Sequence, residues 1–173
     1  MRVFISIKLP TKILMKIKEV QENLPEFIGK KTEIKNLHLT LKFLGEISFD
    51  KMEEIKEKLR YINFEKFEAK IGKIGIFNKP KYGIIWLEID NCEFLQKEID
   101  CILDGICEGE KRFMGHLTIA RIKKIKNKKI FFDKINQISP PKIFFIVDKF
   151  YLIQSKLKKE GPEYSVLKEY PLK

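Results

Sequence analysis

Histidine is the scarcest ionisable side chain in this 173-residue chain, which contains only two of them. Threonine and arginine are also rare, with four residues each, although the chain is rich in lysine. The three cysteines, Cys92, Cys101 and Cys107, are an odd number and form no Cys-x-x-Cys pair. They provide neither a disulfide framework nor the spacing of a zinc site, and we expect buried or partly buried free thiols on one helix.

Long hydrophobic runs are absent as well. No apolar segment approaches the roughly 20 residues that a membrane-spanning helix needs. Residues 1–7 are too few for a signal peptide, and they are followed by Lys8 and Pro10. We therefore predict a cytoplasmic protein that makes no membrane contact.

Negative charge is in short supply relative to positive charge, and the net charge is +11. This balance favours a polyanionic partner, with nucleic acid the first candidate. The alternative is a solvated surface, because lysine dominates the basic residues and the Ile-, Lys- and Glu-rich composition resembles thermophile usage. Nothing in the sequence indicates an obligate protein partner.

One order of predicted elements occurs twice along the chain: strand, helix, strand, helix, strand. The first pass comprises a strand at 2–8, a helix from Thr11 to near Pro25, strands at 37–44 and 67–77, and between them a helix capped by Ser48. The second pass comprises strands at 82–90, 114–123 and 142–156, with helices at 93–107 and 129–138. We therefore predict an α+β protein, one bilobal domain over 1–173 with an internal repeat of roughly 1–78 and 82–156. Two mainly antiparallel sheets, with helices outside, would enclose a central groove.

Both histidines begin the same tripeptide, His38-Leu39-Thr40 and His116-Leu117-Thr118, on the third predicted element of each pass. Alternate side chains of a strand share a face, so His38, Thr40 and Lys42 are expected on one face of the first motif strand. His116 and Thr118 share a face of the second. The opposite faces are apolar, and two facing sheets would gather the polar groups around one point.

These residue types suit an in-line displacement at phosphorus that needs no metal. Two histidines allow one to accept a proton while the other donates one, and threonine hydroxyls can donate hydrogen bonds to phosphate oxygens. Arginine is preferred where a fork of donors meets phosphate, which draws attention to Arg121. Strict alternation places Arg121 opposite His116, so a bulge or the strand end has to redirect it. The alternative is a pair of strand histidines with satisfied hydrogen bonds and no chemical role.

The chain resembles the two-histidine (2H) phosphoesterase superfamily, which is defined by two His-x-Thr/Ser motifs. Within it, the chain is similar to the bacterial and archaeal RNA 2′,3′-cyclic phosphodiesterases, historically called 2′-5′ RNA ligases. The resemblance covers essentially the whole chain and rests on residues 38–46 and 116–121, with support from 2–7, 84–87 and 155–164. One departure is Gly115, where the family usually has proline before the second histidine.

The resemblance implies a substrate, namely RNA that ends in a 2′,3′-cyclic phosphate, with tRNA fragments as one source. Water attacks phosphorus, the 3′ oxygen leaves and a 2′-phosphate remains; the reverse reaction gives a 2′-5′ linkage. The family implies His38 as proton donor and His116 as proton acceptor. Thr40, Thr118 and Arg121 would hold the phosphate. No metal and no other cofactor is implied.

Further residues are candidates for RNA contact. Phe4 is a candidate for stacking on the terminal base, the alternative being an ordinary core phenylalanine, and Lys42 is a candidate for the groove wall. Phe43 and Trp86 are expected in the core. Two competing functions stay open: a phosphodiesterase for a small cyclic nucleotide or related metabolite, and a non-catalytic module that binds RNA ends.

Overall fold

A computed structural model describes residues 1–79 and 82–173 of the chain. Within these residues the chain forms nine β-strands, four α-helices and two 3₁₀ turns, Ile34–Asn36 and Leu59–Tyr61. The helices are α1 (Thr11–Glu22), α2 (Phe49–Lys58), α3 (Glu93–Ile102) and α4 (Lys128–Gln137). The strands are β1 (Arg2–Lys8), β2 (Ile28–Lys31), β3 (His38–Glu46), β4 (Phe67–Lys79), β5 (Tyr82–Asp90), β6 (His116–Lys124), β7 (Ile143–Val147), β8 (Lys149–Leu157) and β9 (Pro162–Pro171).

All strands pair antiparallel, in the order β7-β4-β5-β6-β3-β1-β8-β9, and β2 pairs with the distal part of β6. This confirms the α+β class. The two halves of this order are equivalent on either side of the central motif strands β6 and β3, so that the order is palindromic. On each side the motif strand is followed by the first strand of its own pass, β5 or β1, and then by β4 or β8 from the end of the other pass. Strand β4 of the first pass therefore lies in the half of the sheet that contains β5 and β6, and strand β8 of the second pass lies in the half that contains β1 and β3.

The two sheets expected from the sequence are halves of one hydrogen-bonded sheet. Within the described residues, β3 and β6 join at a single residue pair, Leu39 and Leu117. Each motif strand pairs far more extensively with its outer neighbour, β1 or β5. The junction therefore leaves the two halves distinct although the sheet is continuous.

The strand predicted at 142–156 is two strands, and this expectation was wrong. The chain breaks at Asp148, whose carbonyl accepts a hydrogen bond from the Leu172 amide. Before the break β7 pairs with β4, and after it β8 pairs with β1, so the chain passes from one half of the sheet to the other. Two consecutive apolar strands with one linking residue cannot be told from one long strand by periodicity.

The helices cover the apolar face of the sheet and bury its core. Leu39 and Leu117 are fully buried there, together with inward residues of every helix: Ile17, Ile55, Ile99 and Ile135. Ser48 caps α2 as predicted, accepting a hydrogen bond from the Lys51 amide at 3.2 Å. No helix among the described residues has the length and apolar content needed to cross a bilayer.

The predicted helix at 93–107 is shorter, because α3 ends at Ile102 and a turn follows with Gly105 at a φ of +76°. All three cysteines are free, as expected. Cys92 is buried at the start of α3 and Cys107 is half-buried beyond its end. Cys101, which lies within α3, is exposed rather than buried.

Candidate active site

The single pairing of the two motif strands gathers both His-Leu-Thr tripeptides at the centre of the sheet. Because Leu39 faces Leu117 in an antiparallel pair, the residues flanking them lie crosswise. His38 is placed beside Thr118, and Thr40 beside His116. All four side chains point away from the buried leucines, and we call the side of the sheet that carries them the motif face.

Both histidine rings are held in the same way. His38 Nδ1 lies 2.7 Å from the carbonyl oxygen of Asn36, and His116 Nδ1 lies 2.8 Å from that of Met114. A carbonyl only accepts, so Nδ1 carries the proton and donates in each case. This tautomer leaves Nε2 of each histidine as the atom that can accept or deliver a proton.

His38 lies in an aromatic setting. Its ring centroid is 4.8 Å from that of Phe4 and 5.1 Å from that of Tyr164, which meets it edge-on. Burial lowers the pKa of His38 below its ordinary value, the hydrogen bond to Asn36 opposes this, and the charges of Arg121, His116 and Lys8 lower it further. In the free protein at neutral pH, His38 is therefore mainly uncharged.

His116 has an aromatic neighbour of its own. The ring of Phe77 meets the His116 ring edge-on at a centroid distance of 5.3 Å and packs on Trp86 at 5.0 Å. Gly75 makes this packing feasible, because a Cβ at that position would lie 2.2 Å from the Trp86 ring. Each motif histidine is thus fixed by one backbone carbonyl and by aromatic contacts.

A β-bulge brings Arg121 to the motif face, although strict alternation would place it on the face opposite His116. Along β6, Thr118 pairs with Trp86 and Ala120 with Ile85, so Ile119 is the extra residue. Ile119 and Ala120 are both fully buried, whereas Arg121 is exposed. The one-residue shift therefore puts Arg121 on the same side of the sheet as His116 and Thr118.

β3 bulges at the equivalent position, and this overturns two expectations. Thr40 pairs with Ser6 and Lys42 with Ile5, so Leu41 is the extra residue. Lys42 therefore leaves the motif face and is only 3% exposed, so its predicted place in the groove wall was wrong. Phe43 takes the position equivalent to Arg121 and is 67% exposed, so its predicted place in the core was wrong too. Trp86 is buried, as expected.

Phe4 does not offer a stacking surface, and that expectation is also corrected. It is 3% exposed, and its ring is covered by His38, Phe43 and Tyr164. The close packing on the His38 ring holds that ring in place. Phe4 therefore supports the site from beneath rather than lining it.

Two polar helix residues that sequence reasoning missed, the buried Gln21 and the partly buried Asp100, hold the bulges. Gln21 on α1 donates from Nε2 to the carbonyl of the bulge residue Ile119 at 2.7 Å and to that of Thr32 at 2.8 Å. Asp100 on α3 accepts from the Lys42 ammonium at 2.5 Å. Gln21 lies on the buried face of α1, four residues after Ile17, and Asp100 lies at the edge of the buried face of α3, four residues after Gln96. A polar residue at such a position is the signal that could have found them.

An α+β fold whose two His-x-Thr strands turn both histidines, both threonines and an arginine to one side defines a phosphoesterase of the two-histidine class. The family model described as LigT like Phosphoesterase matches residues 7–86 of the chain. The chain belongs to this LigT-like phosphoesterase family, as the relatives confirm.

Among those relatives are one archaeal and one bacterial protein, both named RNA 2′,3′-cyclic phosphodiesterase. The one from Methanocaldococcus jannaschii is 34% identical over 98% of this chain and 100% of its own length. The one from Thermotoga maritima is 32% identical over 98% of this chain and 94% of its own. The solved structure of LigT from E. coli complexed with 3′-AMP has a TM-score of 0.82 at 24% identity, covering 99% of this chain and 97% of that one, and so shares the fold.

Proposed function

We propose that this protein is an RNA 2′,3′-cyclic phosphodiesterase that opens a terminal cyclic phosphate to a 2′-phosphate. The observation that carries the proposal is the matched pair of Nδ1–carbonyl hydrogen bonds at His38 and His116. Together they leave two Nε2 atoms free for proton transfer on the side of the sheet where Thr40, Thr118 and Arg121 also lie. The names of the archaeal and bacterial relatives support the choice of RNA as substrate.

The proposed reaction is an in-line displacement at phosphorus. His116 takes a proton from water as the water oxygen bonds to phosphorus, and the bond from phosphorus to the 3′ oxygen breaks. His38 gives its proton to that oxygen, and the 2′ ester remains. Thr40, Thr118 and Arg121 donate hydrogen bonds to the non-bridging oxygens, on which negative charge accumulates. The two histidines supply both proton transfers, so the reaction requires no cofactor.

His38 is the proposed donor although its pKa is lowered in the free protein. A bound phosphate brings negative charge beside it, which offsets the charges of Arg121 and Lys8 that lower the pKa. The donor therefore takes up its proton together with the substrate. Reversal of the same steps with an RNA 5′-hydroxyl in place of water would form a 2′-5′ linkage.

We further infer that residues 1–173 form one domain built from two repeats, roughly 1–78 and 82–156. The palindromic order of strands around β3 and β6 supports this inference. We also propose that the protein works in the cytoplasm, without an obligate protein partner, on RNA fragments with cyclic ends, tRNA fragments included. The net charge of +11 supports a polyanionic substrate of this kind.

Incubation of the pure protein in EDTA with a short RNA ending in a 2′,3′-cyclic phosphate tests this function. The expected product is a 2′-phosphate, identified by ³¹P NMR and by mass. RNA binding without turnover would replace the proposal with an RNA-end-binding module. Turnover of nucleoside cyclic phosphates but not of RNA would replace it with a phosphodiesterase for small cyclic nucleotides.

A further inference from the structure

A cavity of about 290 Å³ adjoins His38 on the side away from His116. Its lining residues come from β1, β3, β8 and β9 and from the turn before β3, and they include Lys8, Lys35, His38, Ile153, Tyr164 and Val166. Besides His38, the lining combines the ring of Tyr164, three aliphatic side chains, two lysines, one amide and one carboxylate. This volume lies just below the roughly 300–1,000 Å³ typical of small-molecule sites, which suits one nucleotide unit.

Lys8 is the cation of this cavity that has no carboxylate partner among the described residues. Lys35 lies 2.9 Å from Glu33, and Glu163, the carboxylate of the lining, lies 2.7 Å from Lys158. The Lys8 ammonium lies instead over the ring of Tyr151, 4.9 Å from its centroid. The cavity therefore keeps one exposed positive charge that is available to an anion.

The equivalent position in the other half of the site carries the opposite charge. Lys8 pairs with His38 across β1 and β3, and Glu88 pairs with His116 across β5 and β6. Directly paired residues have Cβ atoms about 5 Å apart, so each of these charged side chains begins beside its histidine. The carboxylate of Glu88 is 3.5 Å from the ammonium of the exposed Lys73. An anionic strand is therefore favoured on the His38 side and disfavoured on the His116 side.

We propose that the cavity beside His38 binds the terminal ribose and its 5′-phosphate, with Lys8 as the phosphate contact. This inference rests on the proposed function and deepens it: the enzyme selects ends of RNA strands over nucleoside 2′,3′-cyclic phosphates. A histidine that protonates the leaving 3′ oxygen must have the ribose on its own side. The next phosphate of the strand is one ribose away from the reacting one, on the same side as Lys8.

Three substrates isolate this contact: adenosine 2′,3′-cyclic phosphate, the same compound with a 5′-phosphate, and the dinucleotide ApA with the same cyclic end. The measured quantity is the ratio of kcat/KM with a 5′-phosphate to kcat/KM without one. In the wild-type protein the ratio should be about ten, as expected of one charge-assisted contact. Lys8→Gln should reduce it to about one, mainly through KM, and Lys8→Glu should bring it below one.

Salt dependence supplies a second readout. For the dinucleotide, the slope of log kcat/KM against log salt concentration should become shallower by about 0.7 in Lys8→Gln, the loss of one phosphate contact to a single strand. Lys16→Gln is the matched control, because Lys16 is an exposed lysine of α1 and its loss changes the net charge equally. It should leave the ratio and the slope as they are.

An unchanged ratio in both Lys8 variants would overturn the inference, as would a wild-type ratio of one. These outcomes differ from a failure of the proposed function, in which the wild-type protein does not turn over the dinucleotide. Lys8 is exposed, so its replacement by glutamine should not disturb folding. Matching thermal unfolding curves of the variant and the control would verify this.

Discussion

The two motif strands share a pattern and a bulge, but the residues around the bulge differ. In β6 the bulge presents Arg121 to the motif face and buries Ala120. In β3 the same bulge presents Phe43 and buries Lys42. A symmetric backbone thus carries an asymmetric site, because only one of the two bulges presents a guanidinium. The comparison shows that the position of the bulge, and not the His-Leu-Thr tripeptide, determines which further side chain of each motif strand lies on the motif face.

The two bulges are also held from opposite halves of the molecule. Helix α1, from the first pass of the chain, reaches β6 through Gln21. Helix α3, from the second pass, reaches β3 through Asp100 and the ammonium of Lys42, which also donates to the Glu108 carbonyl at 2.6 Å. We call these two contacts braces: one is a neutral amide, and the other is an ion pair between a buried ammonium and a partly buried carboxylate. Each half therefore depends on the other for the geometry of its motif strand.

Replacing either histidine should have the largest effect of all. His38→Ala and His116→Ala should each lower kcat by at least about a hundredfold, because each removes one proton transfer. Steady-state hydrolysis of a cyclic-phosphate RNA measures this. Near-normal activity in either variant would remove that histidine from the mechanism.

A modified substrate sharpens the comparison between the two histidines. If the bridging 3′ oxygen is replaced by sulfur, the leaving thiolate needs no proton. His38→Ala should then regain much of the lost rate, whereas His116→Ala should not. Rescue of the His116 variant instead would exchange the proposed roles of donor and acceptor.

Breaking the ionic brace should cost the most stability. Asp100→Ala leaves the Lys42 ammonium buried without its carboxylate, which should lower the free energy of unfolding by about 3–5 kcal/mol. Urea unfolding measures this loss. The double variant Asp100→Ala with Lys42→Met should recover part of it, because no unpaired charge is left buried. Absence of recovery would mean that the loss arises elsewhere.

The same brace should respond to acid. Burial opposes ionisation of Asp100, but hydrogen bonds from Lys42, the Glu110 amide and Gln96 outweigh it and hold the carboxyl pKa below its ordinary value near 3.8. The unfolded state therefore binds the proton more readily. The stability that this carboxylate contributes is complete above that ordinary value and is lost as the pH falls below it. Asp100→Asn should remove this part of the pH dependence.

The residue before each motif histidine gives a third contrast. Leu37 precedes His38 and is buried, whereas Gly115 precedes His116 and has no room for a side chain. A Cβ on Gly115 would lie 2.2 Å from the carbonyl oxygen of Ile89. Gly115→Ala should therefore shift the start of β6 and cost about 1–3 kcal/mol in unfolding experiments. The family usually has proline at this position, but proline should be no better tolerated than alanine in this chain. A stable, fully active Gly115→Pro variant would contradict this.

Breaking the neutral brace should have a smaller effect on stability but a specific one on substrate binding. Gln21→Leu removes one of two donors to the Ile119 carbonyl, since the Thr32 amide still donates at 2.9 Å, and should cost about 1–3 kcal/mol. The loosened bulge should displace Arg121 and raise KM. Gln96→Leu on α3 is the matched control, because Gln96 donates to Asp100 and not to the β6 bulge. Equal KM changes in both variants would refute a link from Gln21 to Arg121.

The elements with alternating or repeated patterns could be predicted from the sequence. The placement of a side chain could not be predicted where it depends on a residue far away in the chain. The paired tripeptides, the helix cap at Ser48 and the central place of the motif strands followed from local pattern. In β3, residues 38–43 alternate perfectly, so nothing local indicates a bulge at Leu41. From the sequence alone, Lys42 is expected at the surface. It is buried because the fold brings Asp100, 58 positions away, beside it. In β6 the adjacent apolar Ile119 and Ala120 do break the alternation, and there a bulge was anticipated as one way to redirect Arg121.

The smallest predicted effect concerns the titration of His38. The free protein should give two histidine signals in NMR, since the chain has only two histidines, and His38→Asn assigns them. His38 should titrate below its ordinary pKa of 6.5, because burial and the charges of Arg121, His116 and Lys8 disfavour its cation. Arg121→Gln removes one of those charges, so the pKa of His38 should rise toward 6.5. Adding a non-hydrolysable phosphate ligand should raise it as well, with uptake of a proton. If the ligand leaves the pKa of His38 unchanged, His38 is not charged in the complex and cannot be the proton donor.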